Sequence, residues 1–297
     1  MVTKYVNYAY EGDLFNFADN YGLGNDTLYL SLPSPNLAPI RTFQGNDYVK
    51  VMNAPSGGYG YKFYLGSGND TLFGSNLSDR YYDEGGNDQI SMGAGHDHVI
   101  AGPGDDIING GTGSDWIVFG EFMDAFGGSL PIAQGVTLNL ANTGPQDLGV
   151  YGIDTFINFE YVIGGAGDDT FLGTNGANAL WGAGGDDYLR GLGGDDFIYG
   201  GPGSDTLIGD AGGDELDAGF AFGSDETDGD ADIIKYFRIS DSTEDGGVDT
   251  IFNFEYFAAG GSDKIDLSYL DATFSLAGNQ AFQFVGGAAF SSANGEV

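Results

Sequence analysis

An all-β fold, a parallel β-roll or β-helix solenoid wound from nonapeptide repeats in two tracts with non-repeat capping segments, is predicted by three features of the sequence. Aspartates recur every nine residues, an apolar residue stands two places after each, and glycines crowd the positions before it. In the first tract the series runs Asp70, Asp79, Asp88, Asp97, Asp106, Asp115, with Leu72, Tyr81, Ile90, Val99, Ile108 and Ile117 as apolar partners. In the second it runs Asp169, Asn178, Asp187, Asp196, Asp205, Asp214, with Phe171, Leu180, Leu189, Ile198, Leu207 and Leu216. A solvated low-complexity linker has no reason to place an apolar side chain at all twelve positions.

The repeat G-G-x-G-x-D-x-U-x, with U a large apolar residue, divides into a turn and a strand. Glycine tolerates positive φ, so the first six residues can turn tightly with their carbonyls converging. The last three, x-U-x, form a short strand whose single inward side chain is U. Two nonapeptides then complete one coil, and aspartates eighteen residues apart stack on the same side. The rows are Asp70/Asp88/Asp106, Asp79/Asp97/Asp115, Asp169/Asp187/Asp205 and Asn178/Asp196/Asp214, and Asp214 is expected to end its row.

Composition says what must lie between these rows. The 297 residues carry 44 Asp+Glu against 9 Lys+Arg, a formal net charge of −35. So large a charge opposes compaction unless cations neutralise it. No Lys/Arg patch for nucleic acid can be assembled. Disorder fits poorly with 41% hydrophobic and 14% aromatic residues. The 54 glycines are about two and a half times average usage. The chain has no cysteine, which leaves metal as the staple for an exported fold. Ca²⁺ takes six to eight oxygens from carboxylates and backbone carbonyls, the donors this turn supplies. Four rows of three leave eight gaps, and eight Ca²⁺ would bring the charge of −35 to about −19.

Outside the tracts the signals weaken. The expected organisation is a cap with degenerate repeats over 1–64, the first tract over 65–118, a connecting β segment over 119–163, the second tract over 164–217, and a C-terminal segment over 218–297. Weaker repeat copies surround Asp26 and Asp47. The stretch Ile153-Asp154-Thr155-Phe156-Ile157-Asn158-Phe159-Glu160 is echoed by Val248-Asp249-Thr250-Ile251-Phe252-Asn253-Phe254-Glu255. Asp225, Asp228, Asp230 and Asp232 form an acidic cluster, but the twelfth position from Asp228 is Ile239 rather than Glu, so an EF-hand fails and a solvated loop is expected. The aromatics Tyr5, Tyr8, Tyr10, Phe15, Phe17 and Tyr21 read as a cap on the roll rather than a glycan contact. His96 and His98 flank Asp97 and read as surface residues rather than zinc ligands. No apolar run reaches the length of a membrane span. Met1 to Tyr10 lacks the apolar core of a secretory signal, so the expectation is a cytoplasmic protein or export that reads no N-terminal signal.

These repeats resemble the repeats-in-toxin family of hemolysin-type calcium-binding repeats. The resemblance implies that carbonyls of the first and third repeat positions join the aspartate, as in Gly164, Ala166 and Asp169, or Gly182, Gly184 and Asp187. Residues Asp249 to Phe254, Asp263-Lys264-Ile265-Asp266-Leu267-Ser268 and Gln280 to Phe290 resemble the C-terminal domain of serralysin-type secreted metalloproteases. That similarity implies a bacterial protein exported by the type I pathway with a C-terminal signal, and a tail truncated at Gly295-Glu296-Val297. The reading is a secreted, non-enzymatic calcium-binding protein of the cell surface or matrix, with glycan or matrix as its partner class. The rival is an accessory or catalytic part of a secreted polysaccharide-acting enzyme. The chain contains neither H-E-x-x-H nor G-x-S-x-G. The purified protein is therefore expected to show no protease or lipase activity and to carry no zinc; elemental analysis finding one tightly held Zn per chain would overturn this.

Overall fold

The computed structural model describes residues 2–7, 24–31, 39–54, 60–120, 134–219, 230–238, 241–242, 247–254 and 262–271. The described residues form three sheets of eight, ten and six strands. All strand pairs are parallel except Gln146–Asp147 against Ile153–Ile157. A short α-helix, Ser268–Asp271, and a 3-10 turn, Gly149–Tyr151, accompany them. The chain is a parallel β-roll.

The nonapeptide explains the topology. Within the tracts, strands eighteen residues apart pair in register, as Leu72↔Ile90, Tyr81↔Val99 and Leu189↔Leu207 do. Strands nine apart lie in opposite walls, so each coil gives one strand to each. Because side chains alternate along a strand, the middle residue of x-U-x points inward. All twelve U side chains are at most 3% exposed. Burying each stabilises the roll by about 1.5–3 kcal/mol. They form a single file, continuous from Leu28 to Tyr236 in one core.

The stretch expected as a connection instead completes the walls. Tyr161–Ile163 pairs with Trp116–Val118 on one side and Ala179–Trp181 on the other. The ten-stranded sheet thus runs unbroken through both tracts, from Ile40–Arg41 to Thr250–Phe252. Ile153–Ile157 pairs with Ile107–Gly113 and continues the eight-stranded wall, while Thr137–Asn139 pairs with Thr170–Leu172 and begins the six-stranded one. One wall is continuous and the facing wall changes sheet midway. The change is plugged by aromatic packing: Phe119 meets Tyr151 at 4.9 Å, Phe156 at 6.2 Å and Phe171 at 6.3 Å between ring centroids. At the other end, Val2–Asn7 adds a parallel strand beside Asp26–Ser31. Of the N-terminal aromatics, Tyr5 lies on that strand, and Tyr8, Tyr10, Phe15, Phe17 and Tyr21 lie outside the described residues.

The echoed element behaves alike in both copies. Asn158 and Asn253 both adopt left-handed φ, +56° and +53°, a conformation asparagine tolerates better than most residues. Each follows a strand headed by a buried aspartate, Asp154 or Asp249.

A core position and a surface position separate the contributions. Leu189→Ala is expected to cost about 2–5 kcal/mol, whereas Ile107→Ala, at a side chain 50% exposed, should stay within about 0.5 kcal/mol. Urea denaturation in saturating Ca²⁺ measures both, and equal effects would contradict the single-file core.

Candidate metal centre

Each repeat aspartate is fixed by the coil that precedes it. Its Oδ1 accepts a hydrogen bond from the backbone N–H of the residue eighteen places earlier. The donors Asp70, Asp88, Asp79 and Asp97 reach Asp88, Asp106, Asp97 and Asp115 at 2.7–2.8 Å. In the second tract Asp169, Asp187, Asn178 and Asp196 reach Asp187, Asp205, Asp196 and Asp214 at 2.7–2.9 Å. Every residue of the four rows is buried.

The rows run beyond the tracts. Asp26 N–H donates to Asp47, Asp47 to Asp70, and Asp106 to Asp154, at 2.7–2.8 Å. Asp115 N–H donates to Glu160 Oε2 at 2.9 Å. Asp205 donates to Asp232, Asp232 to Asp263, and Asp214 to Asp249, at 2.7–3.0 Å. Asp214 therefore does not end its row. Asp232 does not belong to a solvated loop: it is 1% exposed and heads the strand Ile233–Lys235. Asp230 is exposed, and Asp225 and Asp228 lie outside the described residues. The eighteen-residue step of one coil misses these positions because the spacing stretches to 21, 23, 27, 31, 35 or 48 residues. The triplet of acid, any residue, apolar residue survives throughout, as in Asp154-Thr155-Phe156, Glu160-Tyr161-Val162 and Asp232-Ile233-Ile234.

The second carboxylate oxygen turns back over its own glycine turn. A Cβ added at Gly182, Gly191 or Gly209 would stand 2.0 Å from Oδ2 of Asp187, Asp196 or Asp214, so these turns require glycine, whereas in the first tract Leu65, Asp83, Met92 and Ala101 hold the same position and are buried. At Gly164 an added Cβ would meet Asp169 Oδ2 at 2.1 Å and the Gly182 carbonyl oxygen of the next turn at 2.2 Å. Carboxylate and carbonyl thus crowd the same spot between turns. Ala166 and Gly184, third in their repeats, also stack: a Cβ on Gly184 would lie 3.9 Å from Ala166 Cα. At the fourth position several repeats take positive φ, as Gly185 at φ +110° and Gly203 at +134° do, which glycine allows.

Among the described residues, Oδ2 of Asp70, Asp97, Asp115, Asp187, Asp196 and Asp214 is buried without a hydrogen-bond partner. Others are engaged. Ser75 N–H donates to Asp79 Oδ2 at 2.7 Å, Gly165 N–H to Asp169 Oδ2 at 2.9 Å, and the Tyr81 hydroxyl to Asp88 Oδ2. Asn178 uses both ends of its amide, accepting from Thr174 N–H at 2.6 Å and donating to the Glu160 carbonyl at 3.1 Å.

Burial above all pushes these acids upward. Asp70, Asp97, Asp187 and Asp196 rise to about 8, and Asp79, Asp106, Asp169 and Asp214 to about 6. Backbone N–H donors pull the other way in each, and neighbouring carboxylates of the row add to the rise in most. Such a row needs a proton or a cation on its outer oxygens. Hard oxygens from carboxylates and turn carbonyls fit Ca²⁺. Among the described residues no three acid or imidazole side chains form a metal-holding group. A cation here would therefore rest largely on backbone carbonyls. The histidines offer no alternative: His96 Nδ1 accepts from Ser114 N–H at 3.1 Å. His98 is half-buried rather than on the surface, stacks on Trp116 at 5.6 Å, and is held down at about 4, chiefly by burial.

The RTX calcium-binding nonapeptide repeat family matches the chain in four copies, over residues 63–81, 82–117, 163–198 and 181–216. The two tracts are RTX calcium-binding repeats. The matched RTX residues coincide with the two tracts in which the aspartate rows keep their eighteen-residue spacing. No curated protein matches the chain. No helix of the described residues is long and apolar enough to cross a membrane.

The raised acids fix the sign of the pH response. A group raised from about 3.8 in the unfolded chain to 6–8 in the fold stabilises the fold fully below pH 3.8, and that contribution is lost as pH rises through 6–8. In excess chelator the roll is expected to keep β-structure near pH 4.5 and lose it by pH 8, with millimolar Ca²⁺ restoring it at pH 8. Far-UV circular dichroism decides, and a chelated protein that gains structure from pH 5 to 8 would contradict the assignment.

Proposed function

We propose that this protein is an exported bacterial scaffold of the cell surface or matrix, without catalysis, whose tracts fold when Ca²⁺ enters the aspartate rows. The observation that carries the reading is the set of buried Oδ2 oxygens without partners, four of them, on Asp115, Asp187, Asp196 and Asp214, set against the first glycine of their own turn. Asp70, Asp97, Asp115, Asp187, Asp196 and Asp214 would hold the ions with carbonyls of the first and third positions, such as Gly164, Ala166, Gly182 and Gly184. Asp79, Asp88, Asp106, Asp169 and Asp205 complete the rows. The ion supplies positive charge between carboxylates that otherwise repel.

Because a preformed site does not exist in the unfolded chain, binding free energy is here folding free energy. The chain's own residues set the cooperativity: Oδ1 ties each turn to the one before, so ordering one turn orders the donor of the next. Extracellular Ca²⁺ modules work at about 10⁻⁴–10⁻³ M, which suits a chain that stays unfolded inside the cell and folds outside. Type I export through a C-terminal signal accords with this, as does the serralysin-like pattern at Asp249 to Phe254 and Asp263 to Ser268. Residues 280–290 of that pattern lie outside the described residues.

Row position should govern ion loss. Asp187 and Asp214 each have a row neighbour on both sides, Asp169 and Asp205 for one, Asp196 and Asp249 for the other. Replacing either by Ala should remove about two Ca²⁺ and raise the Ca²⁺ midpoint several-fold. Asp249→Ala, whose N–H meets the Ser242 hydroxyl rather than a carboxylate, should remove about one. Calorimetric titration beside the parent reads the counts; equal losses at Asp187 and Asp249 would break the row model.

A further inference from the structure

The charge of the chain is unevenly placed. Residues 1–80 carry five Lys/Arg against seven Asp/Glu, whereas residues 81–297 carry four against 37. In a parallel roll, position along the chain becomes position along the axis, so the molecule is an electrical dipole with its basic pole toward the N-terminal end. Four of the seven acids at that pole, Asp26, Asp47, Asp70 and Asp79, are buried in the rows. Two of its cations stand side by side on the outer face of the ten-stranded sheet. Lys62 and Arg80 are in register on neighbouring strands, about 4.8 Å apart at the backbone, and Lys62 is exposed. Like charges so placed repel. Among the described residues the ion pairs are Arg190–Asp210 and Lys235–Asp266, and neither Lys62 nor Arg80 takes part in one.

The same outward column continues in register from Arg80 through His98, Trp116, Tyr161 and Ala179 to Phe197 and Glu215. Glu215 is exposed, and Asp195, also exposed, shares a surface groove with it. Between the ends nothing is charged: His98 is held neutral by burial, and Trp116 and Tyr161 are half-buried. One face of one sheet thus bears a cationic end, an aromatic middle and an acidic end. An aromatic centre depleted of charge within a charged rim is the usual anatomy of a protein interface.

We propose that two copies of this chain dock through this face, antiparallel along the roll axis, with Lys62 and Arg80 of each against Glu215 and Asp195 of the other. A two-fold axis along the strand direction, passing between Trp116 and Tyr161, lays the column on its own reverse. Lys62 then falls opposite Glu215 of the second copy, and Arg80 opposite the strand that Asp195 precedes. Trp116 falls opposite Tyr161, and the large His98 opposite the small Ala179. The acid-rich ends of the two copies point apart, which keeps the repulsion between two strongly negative chains low. Such a self-complementary contact closes at two copies. The proposal rests on Ca²⁺ in the rows only for neutralising the buried acids of the basic pole.

Sedimentation velocity of the full chain in saturating Ca²⁺ should show a concentration-dependent equilibrium of monomer and dimer, and nothing larger. Lys62→Glu and Glu215→Lys each set like charges against each other at both ends of the contact. Each should weaken dimerisation by about tenfold, with circular dichroism and the Ca²⁺ midpoint unchanged. Mixed in equal amounts, the two variants bring opposite charges together at both ends again, so the mixture should dimerise as the parent does although neither variant does alone. A parent that stays monomeric at every concentration, association that continues past the dimer, undiminished dimers of either folded variant, or a mixture that fails to recover would each overturn the proposal. The Ca²⁺ midpoint, read on the same samples, tests the row assignment separately.

Discussion

Everything in this fold depends on carboxylates held one strand spacing apart in a place water barely reaches. At about 4.8 Å and an effective dielectric near 20, two unit charges repel by about 3–4 kcal/mol, and each interior member of a row has two such neighbours. The backbone makes the spacing unavoidable. Because Oδ1 must accept the N–H of the preceding coil, no aspartate can swing out to relieve the repulsion without leaving a buried donor unpaired. The strand ladder therefore imposes the electrostatic problem, and the outer oxygens are where a counter-charge must be supplied. Apolar burial cannot substitute, since U side chains stack whether or not the carboxylates are neutral, and their stabilisation is the same in both states.

The glycine turn follows from the same constraint. In the second tract a carboxylate that gives Oδ1 to the previous coil has Oδ2 aimed back at its own first residue, where a Cβ would collide, as at Gly182, Gly191 and Gly209; in the first tract Leu65, Asp83, Met92 and Ala101 occupy that position. Several turns also take positive φ at the fourth position, as at Gly185 and Gly203. The second position shows the limit of this rule: Ala183, Leu192 and Asp210 occupy it with φ of +80°, +79° and +68°, conformations that cost a side chain something. The Arg190–Asp210 ion pair gives Asp210 a partner on the neighbouring strand of the preceding coil. The second tract thus tolerates local strain at the second position while keeping glycine at the first throughout.

Much of this was legible in the residues and some was not, for a definite reason. Within the tracts nothing is inserted into the half-coils, so sequence distance and spatial distance run in step and eighteen residues means one coil. Asp154, Asp232, Asp249 and Asp263 stack in the same way, but loops inserted into their half-coils break the count. What stacking requires is only the acid and the inward apolar residue two places on, and that triplet is too short to stand out without its period. Glu160 was hidden twice over, by the insertion and by its longer side chain. The continuity of the ten-stranded sheet was hidden with it, because Tyr161–Ile163 reaches its place beside Trp116–Val118 after an excursion of more than forty residues.

Glu160 and Asn178 show how one sheet can carry two electrostatically separate blocks. Glu160 Oε2 accepts from Asp115 N–H, as an aspartate of the row would. On its other side no carboxylate follows: Asn178 donates its amide to the Glu160 carbonyl at 3.1 Å, and Ala179 N–H reaches the same oxygen at 3.2 Å. An amide brings its own donor, so this step is satisfied by hydrogen bonds where an aspartate would need a cation. The strand ladder passes through the joint, and the requirement for counter-charge does not. Mechanically the roll is one object, with the apolar file and the ten-stranded sheet running through. Electrostatically it is two rows meeting at a neutral junction, so charge neutralisation in one tract lowers the repulsion in the other only through the backbone that both share.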